Sequence, residues 1–244
     1  MKKRLMLLCA AAAFCVAAAP AAEKLQAIEH LRKEFAKSGQ RFASPEKTPG
    51  KELIKKIGSD GAFNDIPVTA QSLKNLAYDH QLRQTTALGD AFFRLWRITG
   101  DFKKGLIPDN QLPLIQKSIL HYAKLELERD QRSTARFHGS CFAMPKSAAW
   151  IYFNFFDEIE RGEMPELADL LTRVAYQAWS QPRRNDATDR NIESVERFRG
   201  HVWWVGGNFA YRPLFPAAAA LADERLFDVI WTVMERSCDI VSYN

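Results

Sequence analysis

Cysteine is scarce in this chain, which limits the covalent chemistry that the protein can carry. Cys9 and Cys15 lie near the N-terminus, and only Cys141 and Cys238 lie further along. In an oxidising compartment this second pair could form one disulfide, and two buried free thiols are the alternative. The five histidines are scattered, with no His-Glu-x-x-His motif and no paired-cysteine motif. The sequence therefore predicts no dedicated metal site and no cofactor.

Strong charge of one sign is also missing, which narrows the class of binding partner. The formal net charge is +5, and no dense run of lysine and arginine occurs, so we expect no nucleic-acid binding. A mild positive balance suits an anionic polymer as ligand. No segment after the N-terminal leader is apolar enough to span a membrane. There is no Gly-x-Ser-x-Gly element, and Gly206-Gly207 lacks the further glycines of a nucleotide-binding loop.

The first residues have the features of a secretory signal. A cationic start is followed by a short apolar run and by Ala19-Pro20-Ala21, whose small residues suit a cleavage site. The apolar run is short and rich in alanine, which argues against a transmembrane helix. We therefore expect a signal peptide at residues 1–22, a mature domain at residues 23–244, and a secreted or periplasmic protein.

Apolar residues recur at three- and four-residue intervals along most of the remaining chain, which is the spacing of amphipathic helices. The clearest stretches cover residues 23–37, 69–98, 112–122, 146–160, 165–178, 208–221 and 223–234. Gly100 is a plausible stop for the second helix, Pro165 suits a first helical turn, and residues 44–50 resemble a linker. Because no alternating strand pattern occurs, we predict an all-α fold of antiparallel helical hairpins, either a bundle or part of an α/α toroid.

The segment from Arg199 to Pro216 has the most unusual mixture of side chains. Aromatic, imidazole, amide and guanidinium groups lie around a Gly-Gly break. This mixture suits a flat, hydroxylated, negatively charged ligand such as a uronic-acid sugar. The alternative is a helix start with buried tryptophans. The candidate side chains are Arg199, His201, Trp203, Trp204, Asn208, Tyr211 and Arg212.

Other candidates lie outside that segment. The aromatic run from Trp150 to Phe156 must be mostly core, since its full exposure would create a large apolar patch. Asn154 within it is either satisfied in the core or faces a groove. The polar stretch at residues 181–200 is either a solvated loop or a rim that supplies arginines to a carboxylate or sulfate. Asp65 is a candidate catalytic acid, and a role as a loop cap is the alternative.

Two segments of the chain resemble a known family. The run Asn154-Phe155-Phe156-Asp157-Glu158-Ile159 is similar to the Asn-Trp-Trp-x-x-Glu-Ile-Gly element of glycosaminoglycan lyases, with phenylalanine for both tryptophans and no glycine directly after it. The run Gly200-His201-Val202-Trp203-Trp204 resembles the histidine-bearing segment of the chondroitin ABC type. The resemblance is to the N-terminal α/α-toroid domain of the hyaluronate, chondroitin AC and chondroitin ABC lyases, and it covers most of the mature chain.

The resemblance implies β-elimination on a uronic-acid polysaccharide. His201 would neutralise the uronate carboxylate with support from Asn208 and Arg212, because donors aimed at that group stabilise an enolate-like state. In the family, the His/Tyr pair that acts as base and acid lies further along the toroid. We then expect this chain to be the N-terminal part of a longer enzyme or to self-associate. The resemblance places at the substrate Asn154, Phe155, Phe156, Arg199, Trp203, Trp204 and Tyr211.

The sequence thus favours an exported polysaccharide lyase-like protein that acts on glycosaminoglycans of the chondroitin or hyaluronan type. Two alternatives remain open. One is a non-catalytic helical module that binds an anionic glycan or a protein partner. The other is a fragment of an α/α-toroid glycoside hydrolase.

Overall fold

Helices make up most of the chain that the computed structural model describes, which is residues 21–39, 43–68, 78–128, 143–176, 215–228 and 230. The helices are α1 (Ala21–Gly39), α2 (Gly50–Leu53), α3 (Tyr78–Lys103), α4 (Leu112–Glu128), α5 (Met144–Asn154), α6 (Phe156–Glu160), α7 (Pro165–Tyr176) and α8 (Phe215–Leu221). Within these ranges the only β pairing is an isolated bridge between Ile57 and Phe63. The all-α prediction is confirmed, and the toroid arrangement stays a prediction.

Several sequence predictions fall on residues outside these ranges. The predicted signal peptide lies there except for its last two residues, which belong to α1. Cys141 and Cys238 lie outside as well, so their pairing stays a prediction. Among the described helices, none is both long enough and apolar enough to cross a membrane.

Helix α5 is the centre of the hydrophobic core. Every residue from Met144 to Asn154 except Lys146 is buried, so the helix is enclosed on nearly all sides. It packs against α1, α3, α7 and α8, while α4 packs against α3 and α7. Trp150 of α5 stacks on Trp96 of α3, with the ring centroids 6.1 Å apart. The prediction that the aromatic run is mostly core is therefore confirmed.

Helix α3 continues through Gly100, so the predicted stop at that residue is wrong. The flanking turns are held by buried packing of Trp96, Ile98 and Thr99, which outweighs the low helix propensity of one glycine. The helix ends at Lys103, and the termination signal is Gly105, which has a φ of +70°. The N–H of Gly105 donates to the Phe102 carbonyl at 2.9 Å, closing the last turn.

The predicted helix at residues 146–160 is two helices with a break at Phe155. The φ and ψ of Phe155 are −106° and 22°, and its N–H is shared between the carbonyls of Ile151 and Tyr152 at 3.3 and 3.1 Å. The Phe155 ring is fully buried and lies 6.2 Å from the Phe102 ring. Asn154 lies directly before this bend and Phe156 directly after it, and the candidate site lies beside the bend.

Residues 43–68 are held against α3, so the predicted linker at residues 44–50 is an ordered part of the fold. Ser44 Oγ donates to the Phe93 carbonyl at 2.6 Å. Asp101 Oδ2 accepts from the Gly50 N–H at 2.8 Å and from Arg97 Nε at 2.9 Å. A Cβ at Gly50 would lie 3.0 Å from Asp101 Cβ, so any larger residue here would push Asp101 away from its present position.

Candidate functional site

A groove lies beside the junction of α5 and α6, and we call it the Asn154 groove. Its volume is about 420 Å³, which falls in the range of small-ligand sites. Three helical regions meet here: α1, the end of α3, and the bend between α5 and α6. The lining residues are Lys33, Ala36, Lys37, Lys103, Phe153, Asn154, Phe156 and Asp157.

Asn154 is the buried polar residue of this groove, with only 5% of its surface exposed. Its Nδ2 donates to Thr99 Oγ1 at 2.9 Å, and the Thr99 hydroxyl donates in turn to the Trp96 carbonyl at 3.1 Å. These bonds orient the amide, but no donor among the described residues reaches Asn154 Oδ1. An unpaired buried acceptor costs ~1–3 kcal/mol, but this oxygen has almost no accessible surface, so a ligand hydroxyl can donate to it only after a neighbouring side chain moves aside.

Lysines give the Asn154 groove its positive charge. Lys33 and Lys37 lie one helical turn apart on α1, with side chains 60% and 72% exposed. Their ion pairs are with Glu29 and Glu34 of the same helix, and such exposed pairs contribute little free energy. The two ammonium groups can therefore turn to an anion in the groove at small cost.

Lys103 brings positive charge to the groove from the end of α3. It is less exposed than the lysines of α1, at 23%, and its Nζ lies 2.5 Å from Glu158 Oε1. Asp157 is the acidic residue in the lining. The lining holds three lysines and one aspartate, but Lys103 is already paired with Glu158, so the two exposed lysines of α1 are the groups that can turn to an anionic ligand.

Arg32 holds Phe156, one of the aromatic residues that line the groove, in place. Its guanidinium lies 5.2 Å from the centroid of the Phe156 ring, and its Nη2 donates to the Tyr152 hydroxyl and to Glu160 Oε1, each at 2.9 Å. Burial raises the pKa of Tyr152, so its hydroxyl stays neutral at physiological pH. Burial alone would lower the pKa of Arg32, but Tyr152 and Glu160 raise it above its ordinary value. Arg32 therefore stays positively charged and holds α6 in place beside the groove.

The structure separates the three neighbouring residues that the resemblance places at the substrate. Asn154 and Phe156 line the groove. Phe155 has no exposed surface, because its ring packs inside against Phe102, and no ligand in the groove can touch it in this arrangement. The remaining predicted site residues lie outside the described part of the chain: Arg199, His201, Trp203, Trp204, Asn208, Tyr211 and Arg212.

Sequence reasoning missed the lysines of the groove and Arg32. These residues come from helices far apart in the chain, and each alone looks like an ordinary solvated charge. The four-residue spacing of Lys33 and Lys37 was a usable signal, since it places both ammonium groups on one face of α1. Nothing near Lys103 in the sequence indicates that it joins them.

Metal chemistry finds no support in the described residues, where no group of three or more His, Cys, Asp or Glu side chains could hold an ion.

Comparison with known proteins assigns no family. No protein-family profile, no curated protein and no solved structure matches this chain. The geometry and charge of the Asn154 groove are therefore the basis for a functional proposal.

Proposed function

We propose that this protein binds an acidic saccharide of the uronic-acid class, and that the Asn154 groove takes part of the sugar chain. The observation that carries the proposal is the combination of three lysines with a buried amide whose oxygen has no donor among the described residues. The lysines complement a carboxylate or sulfate. The Asn154 oxygen complements a sugar hydroxyl once a neighbouring side chain uncovers it, and the Phe156 ring, which is 6% exposed, adds only a small apolar contact.

The proposed reaction, where the protein is catalytic, is β-elimination at the uronate. A base removes the proton at C5, the electron pair left on C5 forms the C4–C5 double bond, and the C4–oxygen bond breaks as an acid protonates the leaving oxygen. The extra charge on the carboxylate must be stabilised by donors, and His201 with Asn208 and Arg212 is the proposed set. This part of the proposal rests on the resemblance of the His201 segment to glycosaminoglycan lyases. A non-catalytic glycan-binding module is the second candidate, and the groove alone supports it.

Export and the larger architecture belong to the same proposal. The cationic start, the short apolar run and the small residues near Ala21 support a signal peptide and a secreted or periplasmic location. The polymers concerned are extracellular, which agrees with an exported protein. We propose that the helices form part of an α/α toroid, with the Asn154 groove on its ligand-binding side.

One experiment separates the two candidates. Purified protein is incubated with hyaluronan and with chondroitin sulfate, and both the heat of binding and the ultraviolet absorbance of the unsaturated product are followed. For a lyase, absorbance rises, and His201→Ala abolishes the rise without abolishing binding. For a binding module, heat is released without a rise in absorbance.

Matched variants test whether the Asn154 groove is the binding site. The double variant Lys33→Gln/Lys37→Gln should weaken binding roughly tenfold, because two exposed ion pairs together contribute ~1–2 kcal/mol. The control is Lys124→Gln on α4, an exposed lysine that pairs with Glu166 and does not line the groove. Equal affinity of the double variant and the control, or no binding by the unmodified protein, would contradict the proposal.

A further inference from the structure

A second groove lies between α2 with the 3-10 turn that follows it and the start of α4, and we call it the Ile57 groove. Its volume is about 500 Å³, again within the range of small-molecule sites. It shares no lining residue with the Asn154 groove. Its floor is aliphatic, formed by Ile54, Ile57, Ile107 and Leu114. The 3-10 turn at Ile54–Lys56 and the turn before α4 bring these side chains together.

One edge of the Ile57 groove is cationic. Lys51 and Lys55 lie one turn apart and are both exposed. Lys55 Nζ is 3.0 Å from Glu52 Oε2, whereas Lys51 has no acidic partner among the described residues. Within the described part of the chain, no acidic side chain lines the groove. An aliphatic floor with an uncompensated ammonium at its edge is complementary to an amphiphilic anion.

We propose that the Ile57 groove binds an alkyl carboxylate of medium length. The hydrocarbon chain lies on the isoleucine floor, and the carboxylate pairs with Lys51. A saccharide fits poorly, because the floor has no aromatic ring on which a sugar could stack. A protein partner fits poorly too, because a groove of about 500 Å³ offers little of the ~800 Å² that each partner of a stable interface buries.

Chain length and charge of the ligand test the proposal separately. Octanoate, decanoate and dodecanoate are titrated into the full chain below their micelle-forming concentrations, with decanol and acetate as comparison ligands. Affinity should rise up to about fourfold per added methylene, which corresponds to ~0.8 kcal/mol, until the groove is filled. Acetate should not bind measurably, and decanol should bind more weakly than decanoate. An affinity that does not depend on chain length overturns the proposal.

Variants and labelling locate the site. Lys51→Gln should weaken decanoate binding by up to about fivefold and leave decanol binding unchanged, while Lys124→Gln should change neither. A decanoate analogue with a terminal diazirine should label residues 54–57 and 107–114, a readout that does not depend on a variant that folds. Labelling elsewhere, or an equal response of decanoate and decanol to Lys51→Gln, overturns the proposal. The proposal is also overturned if analytical ultracentrifugation shows a dimer that no longer binds decanoate, because a second copy of the chain then fills the groove.

Discussion

At the scale of single residues, Arg94 shows how one side chain holds a loop on a helix. Its Nη1 donates to Asp65 Oδ1 at 2.5 Å, and its guanidinium lies 5.2 Å from the centroid of the Phe63 ring. Lys56 Nζ donates to the other oxygen of Asp65 at 2.9 Å. The hydrogen bond from Arg94 is the main reason why the pKa of Asp65 falls to about 2. Such a group is ionised at neutral pH, which argues against Asp65 as a catalytic general acid.

We expect Asp65→Asn to reduce stability at neutral pH but not in strong acid. The folded pKa is about 2 against an ordinary value of 3.8, so the ionised group stabilises the fold above pH ~4, and this contribution is lost as the pH falls towards 2. Because the Asp65 side chain is 40% exposed and therefore screened by solvent, we expect a difference of only about 1 kcal/mol at pH 7. Urea unfolding of both proteins between pH 2 and pH 7 measures it.

The control for this prediction is Glu128→Gln, an exposed carboxylate-to-amide change at the end of α4. It should leave the pH profile of the unfolding free energy close to that of the unmodified protein. A profile for Asp65→Asn that runs parallel to that of the unmodified protein down to pH 2 would contradict the assignment.

At the scale of elements, one aromatic cluster and two sets of polar contacts hold α1 against the rest of the molecule. The Phe35 ring lies 5.4 Å, between centroids, from each of Trp150, Phe153 and Phe215. Arg32 reaches Tyr152 and Glu160, as described above, and Lys24 Nζ lies 3.2 Å from Asp228 Oδ1. Since α1 supplies Lys33 and Lys37, the Asn154 groove exists only while this helix is docked.

Phe35→Ala should therefore destabilise the docking of α1 and, with it, the Asn154 groove that α1 helps to form. Phe35 is 6% exposed, and truncation of a buried phenylalanine costs ~3–5 kcal/mol of unfolding free energy. Urea unfolding measures this loss, and hydrogen exchange should show faster exchange in α1 than in α7. Leu25→Ala on the same helix is the matched control, because Leu25 is 55% exposed and its removal should cost less than ~0.5 kcal/mol. Similar losses for the two variants would refute this view of how α1 docks.

At the scale of the whole molecule, the described helices share one hydrophobic core. The buried residues of α1, α3, α4, α5, α7 and α8 form a single contact cluster that also includes residues of the 43–68 segment. A single core of this kind unfolds cooperatively, because each helix loses its buried surface when its neighbours leave.

We accordingly expect α3, α5 and α7 to open as one unit. Peptides covering these helices should show protection free energies within ~1 kcal/mol of each other in hydrogen exchange, and close to the free energy from urea unfolding. Peptides of α1 are compared in the same experiment, since its N-terminal end can fray without loss of the core. A value for α7 well below that for α3 would indicate two independent units and would contradict the prediction.

Sequence reasoning predicted the helices far better than it predicted their ends or the site. Pro165 begins α7 as expected, and the periodic stretches of α1 and α4 are helical. The stop at Gly100 and the unbroken helix at residues 146–160 were wrong, because buried packing carries α3 past Gly100 and bends the chain at Phe155. Of the residues that line the Asn154 groove, Asn154 and Phe156 were among the predicted site residues and the lysines were not; their role at a ligand stays a prediction. The predictions on residues 199–212 stay open, since these residues lie outside the described ranges.

The sequence by itself determined that the protein is helical and which faces of the helices are apolar, because both follow from the spacing of side chains a few residues apart. Only the tertiary structure decided which polar groups meet. Arg32 and Tyr152 are 120 positions apart, and Lys103 meets Glu158 across 55 positions. Such contacts depend on how whole helix faces dock, and no local pattern encodes that choice. The charge of the Asn154 groove is therefore a property of the packed fold.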